Sequence, residues 1–166
     1  MNGRRSLARL VTAALVLGIL LTASRARCGD ADDVAFVRAL YEKQARDLAA
    51  NAPMSNAEFT ALFSARMQLL MHAPRYYPPN EPTGPILNAF FGWGVLPSTE
   101  VRVGAVTRLS GSNDGPATIA VELEHHGEPH KAFVDIVRES GNWRVDDISY
   151  DHGMSLIEHY RRHTKQ

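Results

Sequence analysis

Residues 131–150 read KAFVDIVRESGNWRVDDISY, and how this stretch is read decides the fold. Phe133, Val134, Ile136 and Val137 form one run of β-branched and aromatic side chains, and Trp143, Val145, Ile148 and Tyr150 form a second. Such residues suit a pleated, packed surface. Between the runs, Glu139-Ser140-Gly141-Asn142 offers a short loop in which Gly and Asn supply the positive φ of a hairpin. Working outward, residues 117–125 alternate, with Ala117, Ile119, Val121 and Leu123 inward and Thr118, Glu122 and Glu124 outward. Residues 100–109 alternate too, placing Val101, Val103, Ala105, Thr107 and Leu109 on one face. Polar turns at 110–116 and at His126-Gly127-Glu128-Pro129 join these strands into a four-stranded antiparallel meander.

Helices precede the meander. Asp30, Asp32 and Asp33 suit a helix N-terminus, where the dipole favours negative charge. Val34, Val37, Tyr41, Ala45, Leu48 and Ala52 then recur at helical spacing, up to a stop at Asn51–Pro53. Ser55-Asn56-Ala57-Glu58 is a capping box that opens a second helix, with Phe59, Leu62, Phe63, Met67 and Leu70 inward and an end before Pro74. Arg66 falls in that inward stripe: either its stem packs while its head reaches water, or it is a pocket cation. Residues 74–98 hold five prolines in their first dozen positions, which rules out continuous helix or central strand. The aromatics Tyr76, Tyr77, Phe90, Phe91 and Trp93 make this loop a packed element or a lid, with a short helical turn expected at 86–91 and Gly92 and Gly94 as hinges. Met154, Leu156, Ile157 and Tyr160 predict a short C-terminal helix with a basic end. Helices segregated from an antiparallel sheet make an α+β domain. Twist curls the sheet, and helices on its concave side leave a cone-like two-layer fold with a mouth.

The 166 residues suit one domain after a leader. Arg4, Arg5 and Arg9 precede the apolar run 10–22, which is too short for a membrane span of roughly 20 residues. Small residues follow, so residues 1–26 are expected to be a signal peptide and 27–166 the exported domain, periplasmic or secreted. Without the leader, 14 basic and 18 acidic side chains remain, a net charge of −4. A mildly acidic domain without a basic stripe argues against a nucleic-acid partner. Cys28 is the sole cysteine, so no internal disulfide forms; attachment to a membrane would require its lipidation, which Arg25-Ala26-Arg27 disfavours.

The leading helix pair, the segment HGEPHKAFVDIVRESGNWRVDDI and the closing SLIEHY resemble the bacterial exported family known as domain of unknown function 3828. That family lies within the nuclear-transport-factor-2-like (cystatin-like) superfamily. The resemblance covers about residues 32–162 and implies the cone fold and export. The chain departs from the family at Gly84-Pro85-Ile86-Leu87-Asn88, where an Asp-Pro-like segment with further acids is expected. No pocket acid is carried over from there.

Asp146 and Asp147 alternate on the last strand, and Asp147 shares parity with Trp143 and Val145. Asp135 sits between Phe133 and Val137 on the neighbouring strand. A carboxylate in an apolar cavity has a raised pKa and can act as a base, and enzymes of the fold imply partners such as Tyr41, Tyr150 and His152. Against this, the acids can pair with Arg144, Arg138 or Arg66, or face solvent. Candidate ligand contacts are Tyr41, Arg66, Trp93 and Asp147. His125, His126 and His130 flank one turn, and His159 and His163 are a helical turn apart, but no zinc motif is present and no metal or cofactor is expected. Phosphate loops, nucleophile elbows and reactive-cysteine contexts are lacking as well. The expectation is an exported domain without catalytic activity that binds a small molecule or a protein partner. The alternatives are an isomerase or dehydratase using Asp147 or Asp135, and a homodimer formed through the open face of the sheet.

Overall fold

The computed structural model describes residues 30–75, 87–93, 100–112, 115–151 and 153–164, the side chains of 30, 31, 87 and 93 excepted. The leader 1–26 and Cys28 lie outside the described residues. In order, the elements are α1 (Asp30–Ala49), α2 (Asn56–Ala61), α3 (Ala65–His72), β1 (Leu87–Asn88), β2 (Gly92–Trp93), β3 (Val101–Gly111), β4 (Ala117–His125), β5 (Glu128–Glu139), β6 (Asn142–Tyr150) and α4 (Leu156–His163). Strands β3-β4-β5-β6 form one open antiparallel sheet, so the fold is α+β.

Two tight turns set its register. His126 and Gly127 have φ of 53° and 81°, and Ser140 and Gly141 have φ of 50° and 81°. Positive φ at both central positions makes each a two-residue turn whose twist matches the strands. The left-handed residues of the second turn are thus Ser140 and Gly141, and Asn142 opens β6. Likewise Glu128 and Pro129 belong to β5 rather than to a turn.

Alternation holds along β4, where Ala117, Ile119, Val121 and Leu123 are buried. It fails along β3. Register shifts between Val103 and Val106, and between Arg108 and Ser110, break the period of two. Ala105, Thr107 and Leu109 are therefore exposed, while Val106 is buried and Arg108 points inward. A Cβ on Gly104 would stand 3.3 Å from that of Glu122, which fits the close strand approach at the first bulge.

α1 lies against β3 and β4 and buries Val37, Leu40 and Tyr41. It stops at Asn51, whose φ of 49° lets Ala52 N–H reach the Asp47 carbonyl at 2.8 Å. This is a left-handed helix cap, with Asn in the place usually held by Gly. Ala52 falls beyond the helix and is exposed.

The expected single helix after Ser55 is two helices. Both capping-box hydrogen bonds of Ser55 and Glu58 are present, but α2 ends at Ala61. The Ser64 N–H then donates to the Val145 carbonyl at 2.8 Å, and the Val145 N–H donates to the Leu62 carbonyl at 2.9 Å. Phe63 thereby forms a parallel bridge to β6. Ser64 restarts the helix as the N-cap of α3, accepting from Met67 N–H at 3.1 Å. Two backbone bonds to β6 outweigh continuation of a short helix.

The turn expected at 86–91 is a small hairpin, with Leu87 opposite Trp93 and Asn88 opposite Gly92. The Asn88 side-chain oxygen accepts from Phe90 N–H at 3.0 Å and Phe91 N–H at 3.2 Å, an Asx turn. Phe90 and Phe91 are buried against Tyr41, with ring centroids 6.0 and 5.9 Å away and nearly perpendicular planes. Ile119, Val121, Val134, Ile136, Val145 and Ile148 of the sheet complete one core with α1, Phe63, Met67, Leu156 and Ile157.

Candidate functional site

The last strand carries the acids, and a bulge decides where they point. Asp135 pairs with Asp147, but Ile136 pairs with Val145, so Asp146 is an extra residue. The bulge reverses the parity between Val145 and Asp147. Val145 and Ile136 are buried, whereas Asp147 stands opposite the exposed Asp135. The parity that Asp147 was expected to share with Trp143 and Val145 is broken by this one extra residue.

Each acid has structural partners. The Thr118 hydroxyl donates to Asp135 at 2.7 Å. Asp147 accepts from Ile148 N–H at 2.8 Å, from Ile157 N–H at 2.9 Å and from the Ser155 hydroxyl. Ile157 is in the first turn of α4, so Asp147 fastens that helix end to β6. Burial raises the Asp147 carboxyl above the usual range; its hydrogen bonds oppose the rise and Asp135 adds to it. Asp146 accepts from the Ser64 hydroxyl at 2.6 Å and from Arg66 Nε at 3.1 Å, and a second Arg66 nitrogen holds its other oxygen. Those bonds raise the Arg66 guanidinium pKa further. About half of the Arg66 side chain is exposed, and its fork is committed to Asp146.

Tyr41 is fully buried, and burial, followed by Tyr150, pushes its hydroxyl well above 10.0. That hydroxyl has no hydrogen-bond partner among the described residues. Tyr150 donates to the Ala89 carbonyl at 2.6 Å, and burial, then Asp147 and Tyr160, raise its pKa. Tyr41 is thus fully buried, Arg66 is exposed and Asp147 is half-buried. The Trp93 side chain and His152 lie outside the described residues.

A different set of residues does line an open groove, of about 330 Å³, between the start of α1 and the β5–β6 turn. Asp32, Ala35 and Phe36 form one wall. Arg138, Asn142, Trp143 and Arg144 line the other side, around Gly141. Arg138 lies over the Trp143 ring, 5.4 Å from its centroid, and its Nε donates to the Gly141 carbonyl at 3.3 Å. Trp143 is buried, and its indole N–H has no hydrogen-bond partner among the described residues. Sequence reasoning treated Arg138 and Arg144 only as partners for the acids. The usable signal was two arginines flanking one tryptophan across a two-residue turn, opposite the first turn of an amphipathic helix.

Among the described residues, no group of three or more His, Cys, Asp or Glu side chains is arranged to hold a metal ion. His125 stands 4.2 Å from His126 and 6.3 Å from His130 between ring centroids, and burial, then these two rings, lowers its pKa. His159, on the buried side of α4, is lowered by burial, then by His163, Arg75 and Arg162. The unfolded chain therefore takes up a proton near pH 6.5 before the folded one does, and stability falls as pH drops below that value. Asp147 acts with the opposite sign, in the carboxylate range. Urea unfolding at pH 7.5 and pH 5.5 is expected to show a smaller stability difference in His159→Gln than in the parent. Equal differences would remove His159 from this account.

No helix of the described residues is long and apolar enough to cross a membrane. Comparison with family models, with curated protein sequences and with solved structures finds nothing that matches the chain.

Proposed function

We propose that the chain is an exported binding domain without catalytic activity, engaging a small molecule or a short stretch of a protein partner. The observation that carries this is the groove between α1 and the β5–β6 turn, whose arginine-and-tryptophan wall faces a wall of Asp32 and Phe36. Binding sites combine apolar lining with a few placed polar groups, and this lining has both. Asp135 and Asp147 speak against the isomerase or dehydratase reading, because each is occupied in tying structure together. Export rests on the basic and apolar composition of residues 1–26. The likeness to the exported domain-of-unknown-function 3828 family, and its cone-like packing, is supported by the order of helices before a four-stranded meander.

Native and denaturing mass spectra of the periplasmic protein test this reading. The expected result is a chain lacking the leader, with extra non-covalent mass under native conditions that is lost in Arg138→Gln. The thermal stability of Asp147→Asn separates the two functional classes. The Asn oxygen can still accept from Ile148 and Ile157, so Tm is expected to change little; a large gain in Tm would favour a strained catalytic acid.

A further inference from the structure

We propose that the end of the molecule where the last turns of α3 and α4 meet is a peripheral membrane-binding surface, which sets the domain on anionic phospholipid through Arg75, Arg161 and Arg162. None of these residues lines the groove. Arg75 follows α3 and forms an antiparallel bridge with Thr164, and the Thr164 N–H donates to the Arg161 carbonyl at 3.3 Å. The Arg75 guanidinium lies over the Tyr160 ring, 4.4 Å from its centroid, and donates to the Met71 carbonyl at 2.6 Å. One guanidinium is thus brought from the α3 side to the helix end that already carries Arg161, Arg162 and His163. The helix dipole accounts for cations in the last turn of α4, but not for Arg75. After burial, the charges of His163, Arg75 and Arg162 are what lowers the His159 pKa, as groups gathered at one place do.

Acids do not offset these charges. Arg75, Arg161 and Arg162 are all exposed, and among the described residues none of them forms an ion pair. Glu158, the only acid of α4, is held in the first turn, where it accepts from Ser155 N–H at 3.0 Å. Without the three arginines, residues 27–166 hold 11 basic and 18 acidic side chains. So uneven a distribution turns this end toward a negative surface and the remainder away from it. Arg161 and Arg162 are consecutive, about 100° apart around the helix, so their guanidiniums splay rather than converge on one anion. A single phosphate would satisfy one of them, and an acidic protein would need carboxylates at matching fixed positions. Phospholipid headgroups move in the plane and gather under cations wherever these lie, and the guanidinium fork matches their phosphate. Such a contact is reversible and salt-sensitive.

The test sediments the mature chain with vesicles of phosphatidylcholine alone, and of phosphatidylcholine and phosphatidylglycerol in equal parts. Binding is expected only to the second, and raised salt is expected to release it. Arg161→Gln and Arg162→Gln are each expected to weaken binding about fivefold, and the pair about 25-fold, with unchanged circular dichroism and Tm. Arg102→Gln is the control: Arg102 is exposed on β3, beside Glu100 and Glu124, and its loss is expected to change binding by less than about twofold. An equal effect of Arg102→Gln would show that net charge alone is read, and the proposal falls. It falls equally if the folded chain does not sediment with the anionic vesicles. Two soluble competitors identify the anion. If inorganic phosphate displaces the chain at the phosphate concentration that the vesicles supply, the site takes a single anion and not a membrane. If poly-L-glutamate binds more tightly than the vesicles and depends on Arg161 and Arg162, the surface takes an acidic protein, and the membrane proposal is overturned.

Discussion

Replacing Asp33 with alanine is expected to lower the unfolding free energy by about 3–5 kcal/mol. Asp33 is fully buried although it is an acidic residue. One of its oxygens accepts from Val34 N–H at 2.7 Å, and the other stands 3.2 Å from Arg108 Nε, whose side chain is 17 % exposed. The arrangement joins the first turn of α1 to β3 across the interior. Removing the acid takes a carboxylate oxygen away from beside a guanidinium where water is scarce, and leaves the Val34 N–H without its acceptor; that penalty sets the magnitude. The double variant Asp33→Leu, Arg108→Met removes both charges with similar volume and is expected to recover most of the loss. Urea denaturation of the two single variants and the double variant measures this as a coupling energy. A loss below about 1 kcal/mol in Asp33→Ala would mean that water reaches Arg108 and that the pair acts as a surface pair.

Phe63→Ala is expected to cost about 3–5 kcal/mol, through lost burial and the cavity left behind. Its ring is fully buried, 4.9 Å from Phe59 and 6.2 Å from Phe90 between centroids. The backbone bonds of the α2–α3 break involve Leu62, Ser64 and Val145, so they survive the change, and the loss reports packing alone. Leu69, on the next helix, is 76 % exposed, and Leu69→Ala is expected to stay within about 0.5 kcal/mol. Chemical denaturation of both variants checks the contrast; similar midpoints would show that α2 and α3 do not cover the core.

Much of the sheet could be read directly, because one buried face imposes a period of two on β4 and most of β5. The stripe of α1 could be read for the same reason, although Leu40, off the expected set, is also buried. What could not be read is wherever one residue was inserted into a repeat. The bulges at Gly104–Ala105 and at Asp146 leave each local sequence looking like ordinary strand, yet they turn Arg108 inward and Asp147 outward. The break at Leu62–Ser64 was hidden likewise. Locally, Ser64 is a tolerable helix residue, and only the amide and carbonyl of Val145, 81 positions later in the chain from Ser64, make it a cap. The buried partnership of Asp33 with Arg108 joins residues with no spacing rule between them. The groove was missed on the same ground: its two walls are far apart in sequence, and each alone looks like an ordinary solvated surface.

The Phe63 bridge also bears on how this protein behaves in a crowd. A terminal strand with free amides and carbonyls invites any extended chain to zip onto it. Here the chain has already placed its own residues against the middle of β6, at Val145, and the neighbouring Asp146 bulge bends the strand there. An intruding strand would have to dislodge Leu62 and Ser64 before pairing with Val145 at the middle of that edge. The molecule carries its own stopper against sheet-to-sheet polymerisation on that flank.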